Sequence, residues 1–223
     1  MKITSDLFDA FLKCPTKCYL RSTGQSGAGN AYAEWVREQN EAYRKEAAQR
    51  LVTVAEGEAA VTTSSASNLK TATWRLAVDL PLETEAMASR LLAVERVPSE
   101  GRGRPAQFIP VRFVFFSKLT KDDRLRVAFD ALVLSEVLGR EVRMGMIIHG
   151  YDHARLKVKV ACLLGTVRKL TGKMAIQAPR PVVQLRSAFA VWLRFRAIYI
   201  RHSYFCILFQ AVRGPSPGFV GAL

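Results

Sequence analysis

Acidic residues are missing from the last third of the chain. The last of them is Asp152, and the 71 residues that follow contain 12 lysines and arginines but no aspartate or glutamate. The other 21 basic residues lie in the first 152 positions together with all 19 acidic ones, so this part is nearly neutral. The net charge of +14 therefore does not describe a uniformly basic domain, which is the pattern typical of nucleic-acid binding.

Long apolar runs and cysteines are also scarce. No apolar run follows Lys2, as a signal peptide would require, so we expect a cytoplasmic protein. Only four cysteines occur, and in that compartment they favour thiols over structural disulfides: Cys14, Cys18, Cys162 and Cys206. With 49% hydrophobic and 23% charged residues, the composition is that of a folded chain and not of a disordered one.

Hydrophobic periodicity predicts a mixed α/β domain over residues 1–178. Helices are predicted over 5–12, 31–51, 120–138 and 154–175, the third beginning with a capping box at Thr120 and ending at Gly139. Strands are predicted over 73–80, 90–97, 108–117 and 141–148. The turn-rich segment PSEGRGRPAQ joins the second and third strands, so they form a candidate hairpin.

Residues 179–223 form a basic, aromatic tail of different composition. Its apolar stretch, 188–212, contains Arg194, Arg196 and Arg201. Each arginine would cost about 2.5–3.5 kcal/mol near the centre of a bilayer, so we expect no membrane span. An interfacial helix is the alternative.

Three segments resemble the RecB-like nucleases of the PD-(D/E)XK superfamily, which are related to the iron–sulfur CRISPR-associated exonucleases. They are FLKCPTKCYLR (11–21), LLAVERV with FIPVRF (91–97 and 108–113), and RLRVAFDALVLSE (124–136). The resemblance implies a PD-(D/E)XK nuclease-like core and DNA as the partner. It also implies a Mg²⁺ ion that is held by carboxylates on adjacent strands and activates water for phosphodiester hydrolysis.

The positions that the resemblance assigns to catalysis carry other residue types. They are Ala33 for the early histidine, Leu92 for the first aspartate, Arg112 and Val114 for the acid and lysine, and Arg126 and Asp130 for the helix glutamine and tyrosine. Leucine and valine do not bind a metal ion, and an arginine repels one. The resemblance therefore implies a nuclease scaffold with weak or lost hydrolysis.

Other carboxylates offer an alternative catalytic set. Asp79 and Glu95 lie on predicted strands and Asp130 on the neighbouring helix, so the three together are candidates for lining one cleft. The interpretation we favour is that Glu95 pairs with Arg96 on the surface and that Asp130 is a solvated helix residue, because most charged side chains stay exposed.

The resemblance also implies a four-iron–four-sulfur cluster with four cysteine ligands. Cys14 matches the first ligand, but Cys206 is the only cysteine after position 178, where a group of three is expected. The cluster is therefore predicted to be lost, with Cys14 a vestigial ligand. Two explanations of the tail stay open: a shifted reading frame near Val182, or divergence into a basic binding tail.

Three functions follow from these observations. The first is DNA binding with weak or lost hydrolysis, using four basic residues that flank the hairpin: Arg102, Arg104, Lys118 and Lys121. The second is an active Mg²⁺-dependent nuclease that uses the alternative carboxylates. The third is a non-enzymatic protein that binds a partner through its tail.

Overall fold

One mixed sheet with helices on both faces is formed by the residues that the computed structural model describes, namely 2–25, 27, 29–54, 60–62, 69, 74–99 and 105–176. In chain order the elements are β1 (Ile3–Thr4), α1 (Ser5–Lys13), α2 (Pro15–Ser22), α3 (Ala31–Val54), β2 (Ala60–Thr62), β3 (Leu76–Glu83), β4 (Met87–Val97), β5 (Gln107–Val114), α4 (Lys121–Leu138), β6 (Met144–His149), β7 (Ala154–Lys159) and α5 (Ala161–Ile176).

The sheet order is β2-β3-β4-β5-β6-β7, with β1 added beside the start of β4. The pairs β3–β4, β4–β5 and β6–β7 are antiparallel, whereas β5 and β6 are parallel and are joined by the crossover helix α4. The last register pair of β5 and β6 is Val114↔His149, so both strands end at the same edge of the sheet. The loops that follow them therefore start side by side.

The helices divide the core into two clusters. One contains α1, α4 and α5 and is centred on the stacked rings of Phe8 and Phe129, 4.6 Å apart. The other lies under α3, where Tyr43, Ala47 and Leu51 pack on the strands. Burial of the apolar face on each side, at about 25 cal/mol per Å², is what holds helices and sheet together.

Strand β3 changes its inward face at Asp79, which has φ of 60°. Leu76 and Val78 pack in the cluster under α3, whereas Leu80 and Leu82 belong to the opposite cluster although they have the same parity. A left-handed residue breaks the period of two that a regular strand imposes. Its carboxylate is thereby placed at a bend of the sheet.

The predicted α/β class, with a mixed sheet flanked by helices, is confirmed. The predicted hairpin is the antiparallel pair β4–β5, and the capping box of α4 forms between Thr120 and Asp123. Gly139 ends the helix with φ of 67°, as a left-handed C-cap requires.

The predicted helix over 154–175 is wrong for its first six residues, which form β7. Leu156 and Val160 are spaced like helix positions, but exposed Arg155, Lys157 and Lys159 alternate with inward residues in the period of a strand. Pairing with β6 decides between the two periods. The short helix α2 was not predicted, although Pro15 stands at its first position.

Residues 177–223 lie outside the described part of the chain, and with them the predicted tail. Among the helices of the described residues, none is long and apolar enough to cross a membrane.

Helix α3 is fixed to the sheet edge by Tyr43. Its hydroxyl donates a hydrogen bond of 2.9 Å to the carbonyl oxygen of Gly150 in the β6–β7 turn. Burial raises the pKa of Tyr43 to about 12, and the nearby carboxylates of Asp152 and Glu46 act in the same direction. The neutral hydroxyl is therefore the form that the folded protein prefers.

We predict that Tyr43→Phe lowers the free energy of unfolding by about 1 kcal/mol near pH 8, because one buried hydrogen bond is lost. The unfolded tyrosine ionises near its ordinary value of 10.0, so the stability of the wild type falls as pH rises from about 10 towards about 12. Urea unfolding across this range should show the difference between the two proteins shrinking. If the difference in unfolding free energy between the two proteins stays constant up to pH 12, the raised pKa of Tyr43 is contradicted.

A second prediction concerns Gly145 on β6, against which Val127 of α4 packs directly. A Cβ atom there would collide with Val127 Cγ1 and lie 3.1 Å from Val160 Cγ2, both buried side chains without room to move. Gly145→Ala should therefore reduce the free energy of unfolding by about 1–3 kcal/mol.

The matched control is Gly165→Ala in α5, where no atom lies within 4 Å of the new Cβ. There the substitution should be neutral or stabilise by about 0.5–1 kcal/mol, since alanine is the better helix former. Urea unfolding midpoints measure both, and equal midpoints for the two variants would refute the close approach.

Candidate functional site

A cleft of about 1210 Å³ opens between α1, α3, the start of α4 and strands β3–β5. Its lining contains seven basic and five acidic side chains among mostly short polar and aliphatic ones. Concave sites with converging polar groups are where ligands bind, so the pairing of these charges decides what the cleft can do.

A buried ion pair forms one wall of the cleft. Arg112 of β5 donates from Nε to Asp130 Oδ2 at 2.7 Å and from Nη2 to Oδ1 at 3.3 Å. The side chains of Arg112 and Asp130 are 14% and 4% exposed. Burial alone would lower the pKa of Arg112, but Asp130, with Asp9 and Asp123 nearby, raises it. The guanidinium therefore remains charged inside the protein.

Two serines extend this pair towards the cleft. Ser89 of β4 donates to Asp130 Oδ1 at 2.6 Å, and its oxygen lies 2.8 Å from that of Ser5, the first residue of α1. Because the single hydroxyl hydrogen of Ser89 goes to the carboxylate, Ser5 is the donor in the second bond. Both oxygens of Asp130 are thus engaged by donors.

Arg126 of α4 forms a second network. It contacts Asp9 of α1 in an ion pair and donates to Asp123 Oδ1 at 2.9 Å, while Asp123 Oδ2 accepts from the Thr120 backbone and hydroxyl. Burial opposes ionisation of Asp9, yet Arg126 and Lys13 hold the pKa of that carboxyl below its usual value. The cap of α4 is thereby tied to the position of α1.

The remaining charges of the cleft pair unevenly. Ion pairs join Lys2 to Glu83, Lys45 to Glu41 and Arg90 to Asp79. Within the described residues, two of the seven cations, Arg37 and Arg44, have no ion-pair or hydrogen-bond partner.

The two unpaired arginines lie on the same side of α3. They are seven residues apart, which is two helical turns or about 10 Å along the axis. The pKa of Arg44 lies below its usual value, first because of desolvation and then because Arg112 and Arg126 repel its charge. An anion bound at this point would relieve that repulsion.

The three carboxylates predicted as a catalytic set do not share one environment. Asp79 lines the cleft but is bound to Arg90, and the hydrogen bond from that arginine lowers the pKa of Asp79. Asp130 lies behind the wall, bound to Arg112. Glu95 is half-buried on β4 opposite Leu76 and is not among the lining residues.

Two details of the favoured interpretation are wrong. Asp130 is not solvated, since only 3% of the residue is exposed. Glu95 forms no ion pair with Arg96, because successive side chains of a strand point to opposite faces. The sequence did contain a signal for the burial of Asp130, because this residue follows Phe129 within the apolar middle of α4.

The predicted nucleic-acid contacts are placed in part. Lys118 is exposed between β5 and α4 and Lys121 at the first position of α4, whereas Arg102 and Arg104 lie outside the described residues. Cys14 is exposed, and hydrogen bonds from the Lys17 and Thr16 backbone at the start of α2 lower the pKa of its thiol; Cys18 is buried.

Arg44, Arg126 and the two serines were not predicted to belong to the site.

Magnesium, which the resemblance implies, does not fit the residues of the cleft wall. A magnesium site needs free carboxylate oxygens, and those of Asp130 already accept from Arg112 and Ser89. In the described part of the chain, no three His, Cys, Asp or Glu side chains group together in a way that would hold a metal ion. The same holds there for the thiolate ligands of an iron–sulfur cluster.

No protein-family profile and no curated protein matches the chain. Among solved structures, it is similar to one described as the crystal structure of SSO0001, with a TM-score of 0.39 and 9% sequence identity. The likeness covers 81% of this chain and 78% of the other. Similarity at this level carries no inference about function.

We predict that Asp130→Asn lowers the free energy of unfolding by about 3 kcal/mol, because it leaves the Arg112 guanidinium buried without an anion. The double variant Arg112→Met/Asp130→Leu should lose much less, since it removes both charges and keeps the volume. Urea unfolding measures these differences.

Glu136→Gln on the exposed side of α4 is the matched control and should stay within about 0.5 kcal/mol of the wild type. An Asp130→Asn variant as stable as this control would show that the pair is not buried in solution.

Proposed function

We propose that the protein binds DNA through the phosphate groups of the backbone, using the cleft described above, and that it does not hydrolyse the strand efficiently. The observation that carries the proposal is the unpaired Arg44, which faces the charged Arg112 and Arg126 without an anion of its own. Phosphate oxygens suit a guanidinium group, because its planar fork matches two acceptors.

The arrangement of the cleft supports phosphate as the ligand. Arg37 and Arg44 offer two cations about 10 Å apart along α3, a spacing that suits a chain of phosphates better than a single small anion.

Loss of hydrolysis rests on the ion pair in the cleft wall. At the position that the resemblance assigns to a metal-binding acid, the chain has Arg112, and Asp130 neutralises this arginine. A guanidinium stabilises negative charge on a bound phosphate, but it neither activates a water molecule nor donates a proton readily. Binding without turnover is the chemistry that such a site supports.

The proposal predicts that the full-length protein binds fluorescent single-stranded and duplex DNA at low salt without cleaving them in Mg²⁺ or Mn²⁺. Arg44→Gln should weaken binding and make the slope of log K against log salt shallower by about 0.7 for single strands, since one phosphate contact is lost. Fluorescence anisotropy over a salt series gives both quantities.

Arg50→Gln is the control, because Arg50 lies on the same helix, is paired with Glu46 and does not line the cleft. If both variants change binding equally, the affinity belongs to the general charge of the chain, including its basic tail, and the cleft is not the site. Cleavage that disappears in Glu95→Ala would replace the proposal by an active nuclease with alternative carboxylates.

A further inference from the structure

Exposed aromatic rings cluster at the sheet edge where the parallel strands β5 and β6 end. Phe115 lies at the centre, with ring centroids 5.4 Å from both Phe116 and Tyr151 and 6.0 Å from Tyr43, all in edge-to-face contact. Phe116 remains 45% exposed and Tyr151 77% exposed. Large aromatic side chains left open to water together are unusual on a surface that binds nothing.

The turn that carries Tyr151 is held in place by several contacts. Gly150, with φ of 72°, donates from its backbone to the Val114 carbonyl at 3.3 Å and accepts from Tyr43 and from the His153 backbone. His153 also packs against the Tyr43 ring at 4.9 Å. The rings are therefore presented on a preorganised edge, which lowers the entropy lost when a ligand binds.

Charges of both signs lie around the rings. Lys118 in the β5–α4 connection and Lys121 at the start of α4 are exposed and follow Phe116 in the chain. Besides burial, the carboxylates of Asp152 and Glu46 raise the pKa of Tyr43, and Asp152 Oδ1 is directed back towards Gly150, 2.9 Å from the position of a Cβ there. Exposed rings followed in the chain by two lysines fit a ligand with flat apolar faces and a phosphate backbone.

The aromatic edge is continuous with the arginine cleft. Tyr43, whose buried ring contacts Phe115, and Arg44, which lines the cleft, are neighbours on α3. Strand β5 carries Arg112 and Phe113 in the cleft and leads directly to Phe115 and Phe116. A strand lying in the cleft thus has a path to the rings along the end of the sheet.

We propose that Phe116 and Tyr151 form a stacking platform for unpaired bases, which makes single-stranded nucleic acid the preferred ligand. This inference rests on the proposed function, since the phosphates of the same strand lie in the cleft. Bases of a duplex are stacked on each other and offer no free face, whereas those of a single strand stack on aromatic side chains with little regard to sequence.

The experiment measures binding of the full-length protein to three fluorescent probes of equal length by anisotropy: oligothymidine, an abasic oligomer with the same backbone, and a duplex. The wild type should bind oligothymidine more tightly than either other probe. Phe116→Ala/Tyr151→Ala should weaken binding of oligothymidine by roughly five- to hundredfold and leave the abasic oligomer unchanged within about twofold.

Two further variants keep the test decisive. Phe116→Tyr/Tyr151→Phe retains both rings and should bind like the wild type, and Tyr32→Ala/Trp35→Ala removes an exposed aromatic pair elsewhere and should not matter. If the double alanine variant does not fold, Tyr151→Ala alone replaces it, since that side chain is largely exposed.

The outcomes separate the two proposals. The platform is refuted if the wild type binds oligothymidine no more tightly than the abasic oligomer. It is also refuted if the alanine variants bind oligothymidine as tightly as the wild type does. In both cases phosphate binding stands. If the wild type binds none of the probes, DNA binding itself fails and the platform fails with it. Preference for the duplex also refutes the platform, leaving the rings as a surface for a protein partner.

Discussion

The ion pair between Arg112 and Asp130 connects the parts of this structure that define its cleft. It joins β5 of the sheet to α4 of the helical layer, and Ser89 of β4 donates a hydrogen bond to the same carboxylate. A buried charge is tolerated only when it is paired and hydrogen-bonded, so these three elements have little freedom to move independently. The neighbouring pair of Arg126 with Asp9 fixes α1 in the same way.

The same pair also sets the electrostatics of the cleft. Since Asp130 is committed to Arg112, its negative charge is not available to a metal ion or to the other arginines. Desolvation and the charges of Arg112 and Arg126, with only Asp6 and Glu41 to offset them, therefore hold the pKa of Arg44 below its usual value. A site built in this way favours an incoming anion, and in the two proposals above the aromatic edge extends the surface that holds a strand.

At the position that the resemblance assigns to an acid, the chain has Arg112, which is paired with Asp130 inside the protein. In the proposed function, Arg37 and Arg44 supply positive charge to phosphate, but a guanidinium has none of a metal ion's ability to activate water. Asp79 fits the same pattern, because its bond to Arg90 satisfies the carboxylate at the bend of β3. The carboxylates of the described cleft are thus largely occupied by the protein's own cations, and two arginines are left over.

Much of the fold was determined by the sequence alone. The capping box of α4 and its terminal glycine act over a few residues, so the local pattern was sufficient to place them. The cleft was not predictable in this way. Arg112 and Asp130 are 18 residues apart and Asp130 and Ser89 are 41 apart, and only the packing of α4 on the sheet brings their atoms together. Likewise, the apolar residues of β7 are spaced so that they fit a helix as well as a strand. Pairing with β6 decided that this segment is a strand. Periodicity records which side of an element is buried, whereas the partner that a buried charge finds is decided by tertiary structure.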